Sequence, residues 1–280
     1  LGFSNYRKLF SLFIHFTNVR RTCYEIIFHH NQTENYKTAL VIGGNGGIGS
    51  SSVVKLLDDG FNVVASYKNN KHRLEEILQN HRYQERLKLI HLDASSDDGM
   101  KSKINELVAL YGSIDIIVFS ISEEYKNIRI FNLQWESLSN QLTNQLKSLH
   151  NLYSSLSGQI KNNVNTKFII LLSEVCFGSP PKGFSHYVTA KYALLGFAKS
   201  LAIELSAYNS TVNMISPGMI ETDLLSNLPR KLIEINASQN PLGRNGSAED
   251  IASLISFLAS DKADYLNGIN IPVNGGGKLI

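Results

Sequence analysis

From Lys37 onward the apolar positions alternate between two periods. Thr38–Ile42 is a continuous apolar run entering a cluster of glycines, the pattern of a strand buried on both faces. Ser50–Asp59 then carries Val53, Val54, Leu56 and Leu57 at helical spacing, with Gly60 as its stop. The same reading predicts strands over Phe61–Tyr67, Leu87–Leu92 and Ile114–Ser120, with helices over Lys71–Gln84 and Asp98–Tyr111 between and after them. A long amphipathic helix is predicted over Trp135–Ile160, marked by Leu138, Leu142, Leu146, Leu149 and Leu156. Lys167–Leu172 (strand), Tyr187–Ala207 (helix), Thr211–Ile215 (strand), Ala248–Ser260 (helix) and Ile269–Val273 (strand) complete the series.

Strand alternating with helix implies a parallel sheet covered by helices on both faces, an α/β doubly wound domain over residues 37–280. Such sheets bind ligands at the carboxyl ends of their strands, so the chemistry is expected there. Residues 1–36 stand apart as a basic, aromatic-rich extension with Phe3, Phe10, Phe13, Phe16 and Phe28.

Charge sharpens this division. The whole chain has 27 Lys and Arg against 24 Asp and Glu. Residues 1–37 hold five of those bases (Arg7, Lys8, Arg20, Arg21, Lys37) and two acids (Glu25, Glu34), so the remainder is neutral. A neutral body argues against a nucleic-acid-binding face. Cys23 and Cys176 cannot build a disulfide framework, which points to a reducing, cytoplasmic setting. No apolar run reaches the roughly 18 residues of a membrane span, and no cluster suggests a metal site.

Candidate chemistry begins at Gly43-Gly-Asn-Gly-Gly-Ile-Gly49, directly after the first strand and opening a helix. Bare backbone there lets a pyrophosphate approach, and a helix N-terminus attracts anionic phosphate. Tyr187 and Lys191 are four apart and share one helix face. A neighbouring ammonium favours the phenolate, and a tyrosine so tuned can give a proton to a carbonyl oxygen that receives hydride.

The spacing of the glycine segment resembles the TGxxxGIG motif of the short-chain dehydrogenase/reductase family, with Ile42 where the family usually has Thr. Four further segments carry the resemblance: Tyr187-Val-Thr-Ala-Lys191 (YxxxK), Asn213 to Thr222 (N-x-x-x-P-G-x-x-x-T), Arg244 to Phe257, and Asn267 to Gly276. The match spans about residues 37–277 and is similar to 3-oxoacyl-carrier-protein reductases. It implies a Rossmann-type fold and ketone reduction, with Tyr187 as general acid, Lys191 tuning it and holding the nicotinamide ribose, and a serine orienting the substrate carbonyl. The residues implied at the cofactor are Gly43, Asn45, Gly46, Gly47, Ile48, Gly49, Lys68, Asp93, Tyr187, Lys191, Pro217, Gly218, Ile220 and Thr222.

The serine position has two candidates. Ser173 lies fourteen residues before Tyr187, and Glu174 thirteen, the commoner family spacing. A carboxylate would repel a developing oxyanion, and a one-residue insertion in the loop Cys176–Pro181 would restore Ser173, which is preferred. Two other departures stand out. Phe119-Ser-Ile-Ser122 replaces the family's NNAG, and the family's helix Asn aligns from Trp135 onto Leu142. Asn144, two residues further, is read as a solvated helix residue. His186 is read as a lining or surface residue.

The second strand ends at Tyr67-Lys68-Asn69 with no acid to hold a ribose 2′-hydroxyl, and Lys68 offers a cation to a 2′-phosphate. NADP(H) is therefore expected over NAD(H). Residues 223–243 hold Leu224, Leu225, Leu228, Leu232 and Ile235, read either as an apolar lid for an acyl chain or as a helix packed on the body. The substrate is expected to be a small carbonyl compound or an acyl group, carrier-protein-bound in one version, and the protein a homodimer or homotetramer. If Leu1 marks a cut, a ketoreductase unit of a larger synthase is a further version. For residues 1–36, docking ranks ahead of a targeting peptide and of membrane-surface contact, and Asn31-Gln-Thr33 is read as a chance glycosylation triplet. A rival from another class is a non-catalytic nucleotide-binding protein acting as a partner.

Overall fold

The computed structural model describes residues 36–122, 126–162, 164–226 and 228–278. The extension read at 1–36 lies outside the described residues, except Tyr36.

Seven strands form one sheet: β1 (Thr38–Ile42), β2 (Asn62–Tyr67), β3 (Leu87–His91), β4 (Ile116–Phe119), β5 (Lys167–Leu171), β6 (Thr211–Pro217) and β7 (Asn270–Val273). Their order is β3-β2-β1-β4-β5-β6-β7, and every pairing is parallel. The order reverses at the seam between β1 and β4, where Leu40 pairs with Ile117 and Ile42 with Phe119. A cleft must open there, because the helices after β1 and β4 leave on opposite faces.

The helices are α1 (Gly47–Asp58), α2 (His72–Leu78), α3 (Asp97–Tyr111), α4 (Trp135–Leu142), α5 (Ser148–Lys161), α6 (Ser185–Ser206), α7 (Arg230–Gln239) and α8 (Ala248–Ala259). Successive strand residues point to opposite faces, so β1 feeds two cores. Leu40 and Ile42 join Met100, Ile104, Leu149 and Leu194 on one face. Ala39 and Val41 join Val53, Leu56, Ile251 and Ile255 on the other.

Three local signals explain element ends. Ser96 accepts from Gly99 N and caps α3, with Asp97 and Asp98 in its first turn. Ser247 and Asp250 form a reciprocal capping box on α8. Helix α2 stops at Leu78, short of the expected Gln84, because Asn80 turns the chain by accepting from Arg82 N at 3.1 Å.

The expected long helix is one rod, but it is not regular. Between α4 and α5, Thr143–Lys147 forms a π-helical turn. An i→i+5 turn accommodates one extra residue and changes the angular phase of everything around it.

Gly158 in α5 is exposed and a Cβ there would meet nothing within 4 Å. Gly158→Ala is therefore expected to stabilise the protein by about 0.5–1 kcal/mol, the helical cost of glycine. A urea titration that shows no gain in midpoint would contradict this. Among the described residues no helix is long and apolar enough to cross a membrane.

Candidate active site

The site is built at the carboxyl ends of β1, β2, β4, β5 and β6. The turn after β1 is tight: Gly43 has φ +82°, and Gly46 N donates to Gly43 O at 3.1 Å. A Cβ on Gly49 would lie 2.2 Å from Gly43 O, and one on Gly43 would lie 2.6 Å from Ser120 O. These contacts are with backbone, so the turn has no room for side chains at either position. α1 starts at this turn with Gly46 as N-cap, no side-chain cap and no acid in its first turn. That leaves a helix N-terminus suited to a phosphate.

Beside the turn lies a cavity of about 340 Å³, lined by Gly43, Gly46, Lys68, Asp93, Ser122 and Asn144 among others. A bare glycine cradle, an uncapped helix end and an adjacent cavity with both polar and apolar lining (Lys68, Asp93, Ile42, Leu92) fit a dinucleotide. Lys68 and Asp93, both expected to touch it, are ion-paired across this cavity at 2.9 Å. Asp93 also accepts from Ser95 N at 3.0 Å and Ser95 Oγ at 2.7 Å. Burial raises its carboxyl, and Lys68 and Ser95 overcome this and hold it below the usual range. Lys68 is thus not a lone cation; a phosphate would have to share it with Asp93.

The other cofactor-side residues are distributed as follows. Asn45 turns its carboxamide toward α2, where Leu74 N donates to it at 3.4 Å. Ile48 packs on the second core. Pro217 ends β6 and pairs with Val273, and Gly218 N donates to Val273 O at 3.0 Å. Ile220 is buried and bridges to Gly246. Thr222 sets its Cγ2 2.5 Å from where a Cβ on Gly47 would be, so the segment after β6 rests on the glycine turn.

Tyr187 and Lys191 lie on the first turns of α6, 4% and 1% exposed. The Lys191 ammonium is 5.6 Å from the Tyr187 ring centroid and donates to Leu171 O at 3.1 Å. Burial pulls Lys191 down from 10.5 to about 8, only partly countered by Cys176. Burial pushes the Cys176 thiol up, with Lys191 opposing. The pair is therefore a dry phenol and amine, anchored to the end of β5.

Ser173 and Glu174 follow β5 and separate. Ser173 is 8% exposed and its Oγ accepts from Val175 N at 3.4 Å. Glu174 is half-buried and faces the C-terminal turn: its Oε2 is 3.3 Å from where a Cβ on Gly218 would be, and Asn274 and Lys278 are its polar neighbours. Burial pushes its carboxyl up against the opposing pull of Lys278 and Asn274.

Two expectations change. Asn144, read as a solvated helix residue, lines the cavity, because it sits in the π-turn where counting from Trp135 along a regular helix fails. His186 is buried, 3% exposed, with no hydrogen-bond partner for Nδ1. Burial and Lys126 hold its pKa down. Residues that the sequence did not single out are Ser66 and Ser148, which also line the cavity, together with Ser120 and Ile121 of the Phe119–Ser122 segment. Their only sequence signal is their place at strand ends and on the long helix. Among the described residues no group of three or more His, Cys, Asp or Glu is placed to hold a metal.

With this geometry the comparisons with known proteins are informative. Residues 43–278 match the family described as Enoyl-(Acyl carrier protein) reductase. The chain belongs to the short-chain dehydrogenase/reductase family. It is 33% identical over 250 residues to the 3-oxoacyl-[acyl-carrier-protein] reductase FabG of Staphylococcus aureus, a match covering 86% of this chain and 97% of that protein. Among solved structures, acetoin dehydrogenase YohF of Salmonella typhimurium superposes with a TM-score of 0.75 at 26% identity, covering 86% of this chain and 97% of that one. A short-chain dehydrogenase/reductase of Brucella melitensis superposes with a TM-score of 0.79 at 27% identity, covering 88% and 98%. The chain is therefore an oxidoreductase of this family with its Rossmann-type fold, and the relatives imply a nicotinamide cofactor.

Proposed function

We propose that the protein is an NADP(H)-dependent ketoreductase that reduces the 3-oxo group of an acyl thioester held on a carrier protein. The observation that carries this reading is the buried Tyr187–Lys191 pair anchored at the carboxyl end of β5, two strands along from the glycine cradle that follows β1 at the sheet's reversal point. The backbone N–H groups of Gly47 and Ile48, at the start of α1, hold the phosphates, Lys68 takes the 2′-phosphate, Asp93 the adenine, and Ile220 and Thr222 the carboxamide. When bound, the cofactor supplies a hydride to the carbonyl carbon. The Tyr187 hydroxyl donates its proton to the carbonyl oxygen, so the ketone leaves as an alcohol. Lys191 holds the ribose and favours the resulting phenolate. Ser173 orients the carbonyl, since Glu174 is engaged at the C-terminal turn. The Tyr187 phenolate is reprotonated from solvent, and the Asn144 carboxamide, which lines the cavity, can hold a water on that route.

The acyl and carrier parts rest on the lid and the rim. α7 buries none of its residues, and Leu232 and Ile235 are 51% and 38% exposed. That leaves apolar surface for an acyl chain. Ile128 N donates to Gly183 O at 2.8 Å and Asn127 Nδ2 to Lys182 O at 3.1 Å. These bonds gather exposed Lys126, Arg129 and Lys182 on one rim, suited to an anionic carrier. Tyr192 and Ile203 on the outer face of α6 are exposed apolar positions and suit a homo-oligomer. We place the protein in a reducing, cytoplasmic compartment.

The test is NADPH oxidation with a panel of 3-oxoacyl thioesters, 2-enoyl thioesters and simple ketones such as acetoin. Preference for 3-oxoacyl thioesters supports the reading; preference for enoyl thioesters would replace it with the activity named in the family description. Tight cofactor binding without turnover on any of them would favour the non-catalytic partner. Lys68→Ala is expected to weaken NADPH about tenfold, the scale of one charge-assisted hydrogen bond, and to leave NADH unchanged. Equal loss for both cofactors by fluorescence titration would remove Lys68 as the selector.

A further inference from the structure

Arg73, in the first turn of α2, belongs to none of the groups the proposed reaction uses. It is one-third exposed, and its guanidinium reaches two places at once. Nη1 donates to the Asn45 carbonyl of the glycine turn at 3.4 Å, and Nη2 is paired with the Asp223 carboxylate. Asp223 directly follows Thr222, whose methyl rests on Gly47, and it opens the turn Asp223–Leu225 that leads into α7. Asn45 is in turn fastened to α2 through Leu74 N. Two adjacent residues at the base of the 223–243 segment are therefore seated on the phosphate turn, one by packing and one by charge. Arg73 lines a separate cavity, with Ser50, Lys55 and Glu76, on the other side of the turn from the one lined by Lys68 and Asp93.

We propose that the Arg73–Asp223 pair is a latch that keeps the base of the lid seated over the phosphate turn, and so governs how fast cofactor leaves. The proposal rests on the reading of this turn as the cofactor phosphate site. The Thr222 methyl packs on Gly47 of this turn, so lifting of the Thr222–Asp223 segment is the motion the latch slows. A partly exposed ion pair is a weak bond, and the effect is correspondingly modest, about two- to fivefold. It is also sensitive to salt. Arg73 acts through Asp223 and is a positioning residue.

The test compares Arg73→Gln, Asp223→Asn, the double variant and the charge swap Arg73→Asp/Asp223→Arg. Two measurements are made: backbone hydrogen exchange of residues 221–226 in the cofactor-free protein, and stopped-flow release of NADPH. Each single variant is expected to speed both by about two- to fivefold. The double variant should add little to either single variant, the swap should restore both rates, and KM for a small ketone that does not reach the lid, such as acetoin, should be unchanged. If Arg73→Gln alone speeds release while Asp223→Asn does not, Arg73 touches the cofactor directly and the latch is overturned. Unchanged exchange at 221–226 in both single variants overturns it as well. If the unaltered protein binds no nicotinamide cofactor, the functional reading fails and the release role with it, whereas wild-type behaviour of the variants with normal cofactor binding sinks the latch alone.

Discussion

Tyr187→Phe is expected to lower kcat for ketone reduction about a thousandfold while leaving NADPH affinity within about twofold. The substitution removes one oxygen and keeps the ring, and the ring is what packs at the mouth of α6 with Lys191 5.6 Å away. A positioned general acid contributes roughly 100- to 10,000-fold, and a thousandfold corresponds to about 4 kcal/mol of barrier. Nothing else in the site replaces it: Lys191 has its ammonium on the Leu171 carbonyl, and Glu174 faces the C-terminal turn. Retained turnover in Tyr187→Phe would move the proton donor elsewhere and remove the carrying observation.

The pH profile adds a second reading of the same pair. Burial has brought Lys191 down to about 8, so in the free protein the ammonium is lost well before an ordinary lysine would lose it. The value of kcat/KM reports the free enzyme and should fall as pH rises past about 8. A profile flat to pH 10 would separate the lysine charge from the reaction. The linkage sign is opposite for stability. The folded chain sheds this proton more readily than the unfolded one, so the contribution of Lys191 to stability grows from about pH 8 toward 10.5.

Gly49→Ala should be the most damaging single methyl in the domain. The new Cβ would fall 2.2 Å from Gly43 O and 3.0 Å from Gly44 Cα. Both are backbone, so the turn itself must open. Overpacking of this kind costs about 1–3 kcal/mol and sometimes more. The opened turn would also spoil the phosphate cradle, with an expected loss of tenfold or more in NADPH affinity, about 1.4 kcal/mol per decade. Gly46→Ala is the internal control for stability: its φ is −68°, and the nearest atom, Gly43 O, is at an ordinary 3.4 Å. Chemical denaturation should separate the two variants clearly. Equal stability would mean that the turn is softer than its contacts imply.

Much of this site is legible in the sequence because its causes are local. The glycine turn follows from residues that must lie without side chains, and the Tyr187–Lys191 pair follows from the pitch of one helix. What was hidden depends on interactions between segments or on a local irregularity. Asn144 enters the cavity through a π-turn that helical periodicity does not mark. Lys68 looks like a free cation at a strand end until β3 brings Asp93 beside it. His186, read as a lining or surface residue, is buried. The apolar residues of 223–243 suit either a lid or a packed helix; none in α7 is buried, whereas Leu225 in the turn before it is. The choice between Ser173 and Glu174 turns on where the C-terminal turn lies, which no spacing within β5 reveals.

The strand order also has a consequence during synthesis. β1, β2 and β3 are made first and pair with one another, but β1 stays an open apolar edge until Ile116–Phe119 closes against it. Unpaired apolar edges are where nascent chains associate wrongly. On a ribosome the exposed interval ends when β4 emerges, before any strand leading to Ser173, Tyr187 or Thr222 has been made. The chain thus closes its first open edge ahead of assembling its reactive half.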